Sequence, residues 1–340
     1  MAELVWKGKK APTYNPAEVA LSVDACYGLG DERPAKPPEG WYNRLIYADK
    51  GLVLPTLLPE FSGRVNLIYI DPPFMTGRTF KAGAQILTAG GISYQDIWNN
   101  DLDVYLQWLY ETFYYLHQLL AENGSLYVHL DWRATHYARI MLDEIFQAGS
   151  RNKGAGLKNE IIWHYQSGGR ATKSFARKHD TILLYTKSRH YPFHAERVGQ
   201  IRGSEKRNHM RKSIGPDGHP VWTIRTAGKI YTYTENSVMS RDDVWSDISH
   251  LHQKDPERTG YATQKPAALL ERLLLASSEE NDLVLDCFCG SGVTPVVSEQ
   301  LGRRWLACDQ SEVAISVTLT RLLRQSRRNV FALQSVKGVE

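Results

Sequence analysis

Two apolar runs, each closing on an aspartate and a constrained turn, limit most tightly how this chain can fold. One is "VNLIYI" at 65–70, followed by Asp71, Pro72, Pro73 and Phe74; the other is "LVLD" at 283–286, running into "CFCGSG". An apolar run without polar alternation suits a strand covered on both faces, the condition of a parallel sheet. In an open parallel sheet, ligands bind beyond the carboxyl ends of the strands, where strand order reverses. The two acid-tipped loops are therefore expected to meet over one crevice.

The segments around these runs alternate between strand and helix patterns. "DLDVYLQWLYETFYYLHQLLAEN" predicts an amphipathic helix through Leu102, Leu106, Leu109, Phe113 and Leu116, stopped near Gly124. "SLYVHLDW" predicts a strand and "ATHYARIMLDEIFQAG" a helix, while "NEIIWHYQ" and "DTILLYTKS" predict a hairpin at the sheet edge. Past 258 come the helix "KPAALLERLLLASS", the strand "DLVLDCF", the helix "TPVVSEQLG", the strand "RRWLACD" and a closing helix "EVAISVTLTRLLRQ". The predicted class is α/β: a Rossmann-like, doubly wound, mostly parallel sheet with an antiparallel edge hairpin and a small inserted region. The predicted divisions are an irregular Pro-, Lys- and Gly-rich extension at 1–40, a first half at 41–187, an insert at 188–258 and a second half at 259–340. The insert holds 6 of the 11 histidines together with "RGSEKRNHMRKS". A charge run is more often a solvated face than a site, so the insert carries weight only beside other signals.

With 340 residues, 42% of them hydrophobic, the chain can bury a large core. No run approaches the ~20 apolar residues of a membrane span, and "MAELVWKGKK" lacks the apolar stretch of a secretory signal. A soluble intracellular protein without membrane contact is expected. The net charge of +4 points only weakly to a polyanionic partner. Four cysteines are too few for a disulfide framework. Cys287, Cys289 and Cys308 lack a usual zinc spacing and read as small packing residues, and "HLD" at 129–131 reads as crevice lining or a helix cap; no metal is expected.

In "LVLDCFCGSGVT" a strand passes through Gly290, Ser291 and Gly292 into a helix, and Asp309 closes the next strand about twenty residues on. This order is like that of a dinucleotide loop, in which an acid holds ribose hydroxyls. Pro295 takes the third glycine position, however, and Asp286 ends the strand just before the loop. A carboxylate there would repel a pyrophosphate on the helix N-terminus. It suits the ammonium and sulfonium of S-adenosylmethionine, which is favoured over NAD and over a purely structural turn.

The first loop fits a nucleophile that needs activating. The lone pair of a nucleobase amine is delocalised into its ring. An Asp71 carboxylate can accept one amino hydrogen and the Pro72 carbonyl the other, with Pro72 and Pro73 fixing the backbone. Phe74 offers a face on which an everted base can stack. Asp-Pro-Pro is also good turn chemistry by itself; the second loop is what makes the functional reading the stronger one.

These motifs resemble the amino-methylating DNA methyltransferases of the permuted, beta class, in which the D/S-P-P-aromatic half precedes the target-recognition region and the S-adenosylmethionine half comes last. The resemblance spans about 41–186 and 259–325 and includes "IYADKGLVLPTL", "GSLYVHLDWR", "RKHDTILLYTKS" and "RTGYATQKPAALLERLL". It implies that Asp71, Pro72, Pro73 and Phe74 act on the target base. It implies that Phe288, Gly290, Ser291 and Gly292 line the cofactor loop beside Asp286, and that Asp309 holds the ribose. Lys265 would meet the methionine carboxylate and Asp49 would lie near the cofactor. The insert would be the target-recognition region, with Arg202, Lys206, Arg207, Arg211 and Lys212 as phosphate contacts. Two departures stand out: Phe74 replaces the usual tyrosine, and "FMTG" replaces the usual "YNTG". Aspartate at the first motif position leans to adenine N6, with cytosine N4 as the alternative; no cysteine follows a proline, as cytosine C5 chemistry would need. The implied partner is double-stranded DNA, with a cognate restriction endonuclease and a second copy of the chain as further candidates. The implied setting is the cytoplasm of a bacterium or archaeon, or a phage-encoded protein. Against these stand a non-catalytic DNA-binding specificity protein of the same fold and an enzyme acting on RNA or a protein amide.

Overall fold

The computed structural model describes residues 3–13, 19–30, 32–83, 92–99, 101–147, 154–166, 171–204, 209–325 and 329–338. Residues 193–242 form one compact unit and the rest of the chain another. The larger unit begins with β1 (Val19–Tyr27), β2 (Asn43–Tyr47), α1 (Lys50–Phe61), β3 (Val65–Ile70), β4 (Arg78–Lys81) and β5 (Ile92–Asp96). It continues with α2 (Leu102–Leu119), β6 (Leu120–Leu130), α3 (Thr135–Gln147), β7 (Gly156–His164) and β8 (His179–Thr186). The smaller unit holds α4 (Ala195–Val198), β9 (Gln200–Ile201), β10 (Arg211–Ile214), β11 (Pro220–Thr226), β12 (Lys229–Tyr233) and β13 (Val238–Met239). The larger unit resumes with β14 (Val244–Trp245), α5 (Ala267–Ser277), β15 (Leu283–Asp286), α6 (Val293–Gln300), β16 (Arg304–Asp309), α7 (Glu312–Arg324) and β17 (Phe331–Gly338).

A ten-stranded sheet in the order β1-β17-β2-β16-β15-β3-β6-β8-β7-β14 organises the larger unit. The six strands from β17 to β6 are mutually parallel. The chain leaves β3 toward β6 on one side, whereas β15 leads to β16 on the other, so strand order reverses between β3 and β15. Helices explain the apolar run of β3 from Leu67 to Ile70. Ile68 and Ile70 pack on one face with Leu54 and Leu57 of α1 and Phe113 and Leu116 of α2. Leu67 and Tyr69 pack on the other with Leu269, Leu270 and Leu273 of α5. Burial on both faces leaves no position for polar alternation.

The structure corrects four expectations. Residues 19–27 are not irregular: they form β1, antiparallel to β17. That strand is half exposed along much of its length, so its apolar pattern is faint. The predicted α2 stops five residues before Gly124, and β6 begins at Leu120. The β7–β8 hairpin is not the edge, because β14 pairs with β7 through Val244↔Ile162 and Trp245↔Trp163. That pairing, with a hydrogen bond from Trp163 Nε1 to the Ile248 carbonyl at 2.8 Å, places 243–258 in the larger unit and narrows the inserted unit to 193–242. Among the described residues, no helix is long and apolar enough to cross a membrane.

Gly124 lies within β6, at the irregularity in its register with β3, and passes close to that strand. A Cβ there would lie 2.7 Å from Leu120 Cδ1 and 2.9 Å from the Val65 carbonyl oxygen. The backbone contact cannot be relieved by a rotamer change, so Gly124→Ala is expected to destabilise the fold by about 1–3 kcal/mol, the usual cost of overpacking. Chemical denaturation reads this as a lower midpoint with an unchanged slope.

Candidate active site

The carboxyl ends of four adjacent parallel strands, β2, β16, β15 and β3, each carry an acid: Asp49, Asp309, Asp286 and Asp71. Neighbouring strands lie about 4.8 Å apart, so the four carboxylates line one rim. A single pocket takes in all four, together with Phe74, Tyr94, Trp108, Tyr261, Lys265 and Phe288. Pro72, Pro73, Gly290 and Ser291 also line it. The two loops, more than two hundred residues apart in sequence, therefore share one cleft.

Each acid is held differently. Asp49 caps α1, accepting the Gly51 N–H at 2.8 Å. Asp309 accepts the Gly290 N–H at 2.9 Å and the Ser311 N–H at 2.9 Å. Burial lifts its pKa to about 6 against those hydrogen bonds. Asp286 is buried and accepts Thr294 Oγ1 at 2.5 Å and the Phe288 N–H at 2.9 Å. Burial, reinforced by the charges of Asp71 and Asp309, lifts it to about 7. Asp71 receives Lys265 Nζ on Oδ2 at 2.5 Å, while its buried Oδ1 has no hydrogen-bond partner among the described residues.

The glycine loop is braced from behind. Gly292, at φ 73°, starts α6; a Cβ there would lie 2.5 Å from Thr318 Oγ1 of α7, so the loop tolerates no side chain at this point. Thr318 donates to the Gly290 carbonyl at 3.1 Å, and Arg321 Nη1 to the Ser291 carbonyl at 2.9 Å. Gly292 itself does not line the pocket. The cleft fits S-adenosylmethionine chemically. Its acids match an ammonium and a sulfonium, its aromatic walls match an adenine ring, and the close-packed glycine turn leaves backbone free to approach a ligand.

Several pocket residues fell outside the reading of the sequence. Lys50 is buried, its pKa lowered by burial, with Nζ 4.6 Å from the Trp108 ring. A lysine opening an otherwise apolar helix was the available signal. Tyr94 lies in a stretch without a readable pattern, and Trp108 in a helix whose apolar face is explained by core packing. His129 and Asp131 have separate partners: His129 lies between Tyr69 Oη at 3.0 Å and Asp180 Oδ2 at 3.2 Å, and Asp131 accepts the Arg133 N–H at 2.8 Å.

In the smaller unit the expected phosphate contacts divide. Arg202 is only 3% exposed, with its guanidinium 3.8 Å from the Trp222 ring and Nη1 donating to the Gly203 carbonyl. It is a packing residue rather than a phosphate contact, because cation–π stacking has taken it inside. Arg211 and Lys212 are exposed on β10, and Lys206 and Arg207 lie outside the described residues.

Asp286 and Asp309 both titrate higher in the folded chain than at the ordinary aspartate value of 3.8. The folded state therefore holds extra protons between about pH 4 and pH 7, and the stability this contributes is lost as pH rises through that window. Replacing Asp286 by Asn removes its share. Thermal unfolding of the ligand-free proteins from about pH 5 to about pH 8 is expected to show the variant losing less stability than the parent. Parallel pH profiles would contradict this.

The sequence profile of a DNA methylase family, N6_N4_Mtase, matches residues 65–319. The type II methyltransferase M.BglII of Bacillus subtilis is 32% identical over 284 residues, covering 81% of this chain and 67% of the relative. The DNA adenine methyltransferase YhdJ of Escherichia coli (strain K12) is 28% identical over 275 residues, covering 80% and 81%. The solved M1.HpyAVI–SAM complex shares the fold, with a TM-score of 0.50 at 16% identity over 82% of this chain and 98% of that one. With this match over both acid-tipped loops and the glycine turn, the chain belongs to the N6/N4 DNA methylase family and is an S-adenosylmethionine-dependent DNA methyltransferase.

Proposed function

We propose that this methyltransferase acts on the N6 amino group of an adenine everted from a short duplex recognition sequence. The observation that carries the reading is Asp71 Oδ1, a buried acceptor at the cleft without a hydrogen-bond partner among the described residues. A buried polar atom left unpaired is costly, so it marks a place where a ligand's donor belongs. Bound S-adenosylmethionine supplies an electrophilic methyl carbon on sulfonium, already a good leaving group. The chain's task is then positioning and electrostatic steadying.

Asp71 Oδ1 would accept one amino hydrogen and the Pro72 carbonyl the second, localising the lone pair on nitrogen. The Pro73 carbonyl is already taken by Tyr105 Oη at 3.0 Å, which anchors the turn. Phe74 lines the pocket and is backed by His129, whose ring is near-parallel at 6.3 Å between centroids. A face supported in this way can receive an everted base. Stacking there would offset the few kcal/mol that eversion costs. Lys265 would serve the methionine carboxylate and Asp309 the ribose, as the resemblance implies. The name of the E. coli relative supports adenine, although an aspartate can bind a cytosine amine as well. Nucleoside analysis of methylated DNA is expected to return N6-methyladenine, and N4-methylcytosine would overturn that choice. The names of type II relatives support a restriction–modification setting with a cognate endonuclease.

The 193–242 unit supports duplex binding through its charge. It carries nine Lys and Arg against five Asp and Glu, a balance of +4 equal to that of the whole chain. Arg211 and Lys212 are the contacts proposed for phosphates. Replacing either with Ala is expected to lower the slope of log K against log salt by about 0.9. An unchanged slope would place the DNA elsewhere.

Asp71→Ala is expected to lower methyl transfer by at least about a thousandfold, while equilibrium dialysis shows cofactor binding retained. Loss of cofactor binding instead would mean that the carboxylate serves the cofactor and not the base.

A further inference from the structure

Behind the Asp71 turn lies a second carboxylate that the reaction itself does not use. Asp96, the last residue of β5, is fully buried. Its Oδ1 accepts the Met75 N–H at 2.9 Å and Trp98 Nε1 at 2.9 Å. Its Oδ2 accepts the Thr76 N–H at 2.6 Å and Thr76 Oγ1 at 2.7 Å. Three of these four donors belong to the two residues that follow Phe74. The Gly77 N–H adds a fifth bond, to the Asp96 main-chain carbonyl at 3.0 Å.

The conformation being held is an unfavourable one. Met75 sits at φ 62° in the left-handed region, which an unbranched apolar side chain has no local reason to adopt. The left-handed turn directs two consecutive N–H groups onto one carboxylate, and a buried anion met by such donors makes strong, charge-assisted bonds. We propose that Asp96 is a positioning residue for methyl transfer, clamping Met75 and Thr76 so that Phe74 and Asp71 keep their place at the cleft. This rests on the reading of Asp71 as the base-binding carboxylate.

The clamp also reaches the cofactor side. The Trp98 ring meets Tyr105 at 4.9 Å and Trp108 at 5.0 Å, and Trp108 meets Phe288 of the glycine loop at 5.4 Å. Tyr105 is the residue that holds the Pro73 carbonyl. One buried carboxylate thus fixes the base loop directly and the wall between the two loops through Trp98.

Asp96→Asn keeps the shape but turns one acceptor oxygen into an NH2 group. Whichever way the amide lies, one pair of donors loses its acceptor. Single-turnover transfer by this variant is expected to fall about 10–100-fold, the scale of a small displacement at a reacting centre, with cofactor and DNA dissociation constants within about threefold of the parent. Met75→Asn supplies a residue that tolerates the left-handed region. It is expected to change the parent rate less than about twofold and to restore the Asp96→Asn rate by about fivefold or more. Thr76→Val removes only the hydroxyl donor and serves if Asp96→Asn does not fold; its rate is expected to fall about 5–10-fold at unchanged cofactor affinity. Parent-like rates in a folded Asp96→Asn, or in Thr76→Val where Asp96→Asn does not fold, would overturn the proposal, as would Met75→Asn having the same effect in both backgrounds. Asp71→Ala in the same assay separates the two readings: full transfer by that variant would remove the base-binding role itself, whereas its loss beside a parent-rate Asp96→Asn would remove only the clamp.

Discussion

Four acids on the ends of four adjacent strands are an electrostatic problem that the rest of the site answers. Asp49, Asp309, Asp286 and Asp71 follow one another across β2, β16, β15 and β3 at the spacing of a parallel sheet. Burial and mutual repulsion push the two central ones up, to about 6 and about 7, so the ligand-free cleft retains protons that ordinary aspartates would have released. Lys265 answers one end of the row and the Gly51 main-chain N–H the other. A ligand bearing two positive centres supplies what the middle lacks. The preference for a cationic methyl donor over a pyrophosphate cofactor follows from that charge arrangement rather than from the glycine loop.

Much of the precision in the cleft comes from groups behind or between its two loops. The glycine loop is fastened by Thr318 and Arg321 of α7. The Asp71 loop is fastened by Tyr105 of α2 and by Asp96. Trp98, Trp108 and Phe288 fill the space between the loops with edge-on and tilted rings. Sulfonium chemistry asks the protein mainly for geometry, so a large share of the chain serves to keep two turns from moving against each other.

The sheet and the two loops could be read from the sequence because burial on both faces imposes an apolar run without alternation, as in 67–70 and 283–285. Asp71, Asp286 and Asp309 were legible for the same reason, each being the first charge after such a run. What could not be read depended on contacts remote in sequence. The β1–β17 edge is half exposed and leaves a weak pattern. Arg202 looks like one more charge in a basic stretch, and only the fold shows Trp222 beneath it. Asp96 lies twenty residues from the main-chain groups it holds, in a stretch without periodicity. The contact of Lys265 with Asp71 Oδ2 is a meeting across 194 residues of chain, which no local pattern announces.

Asp71 Oδ1, buried and without a hydrogen-bond partner among the described residues, stands beside an acid-lined cofactor cleft and is the acceptor proposed for an amino hydrogen. A crystal structure of the full chain with a non-reactive S-adenosylmethionine analogue and its recognition duplex tests that most directly. The expected result is an adenine swung out of the helix onto Phe74, with its amino nitrogen within about 3 Å of Asp71 Oδ1. A base still stacked in the duplex, or an amino group bound by some other acceptor while Asp71 faces the cofactor, would contradict it.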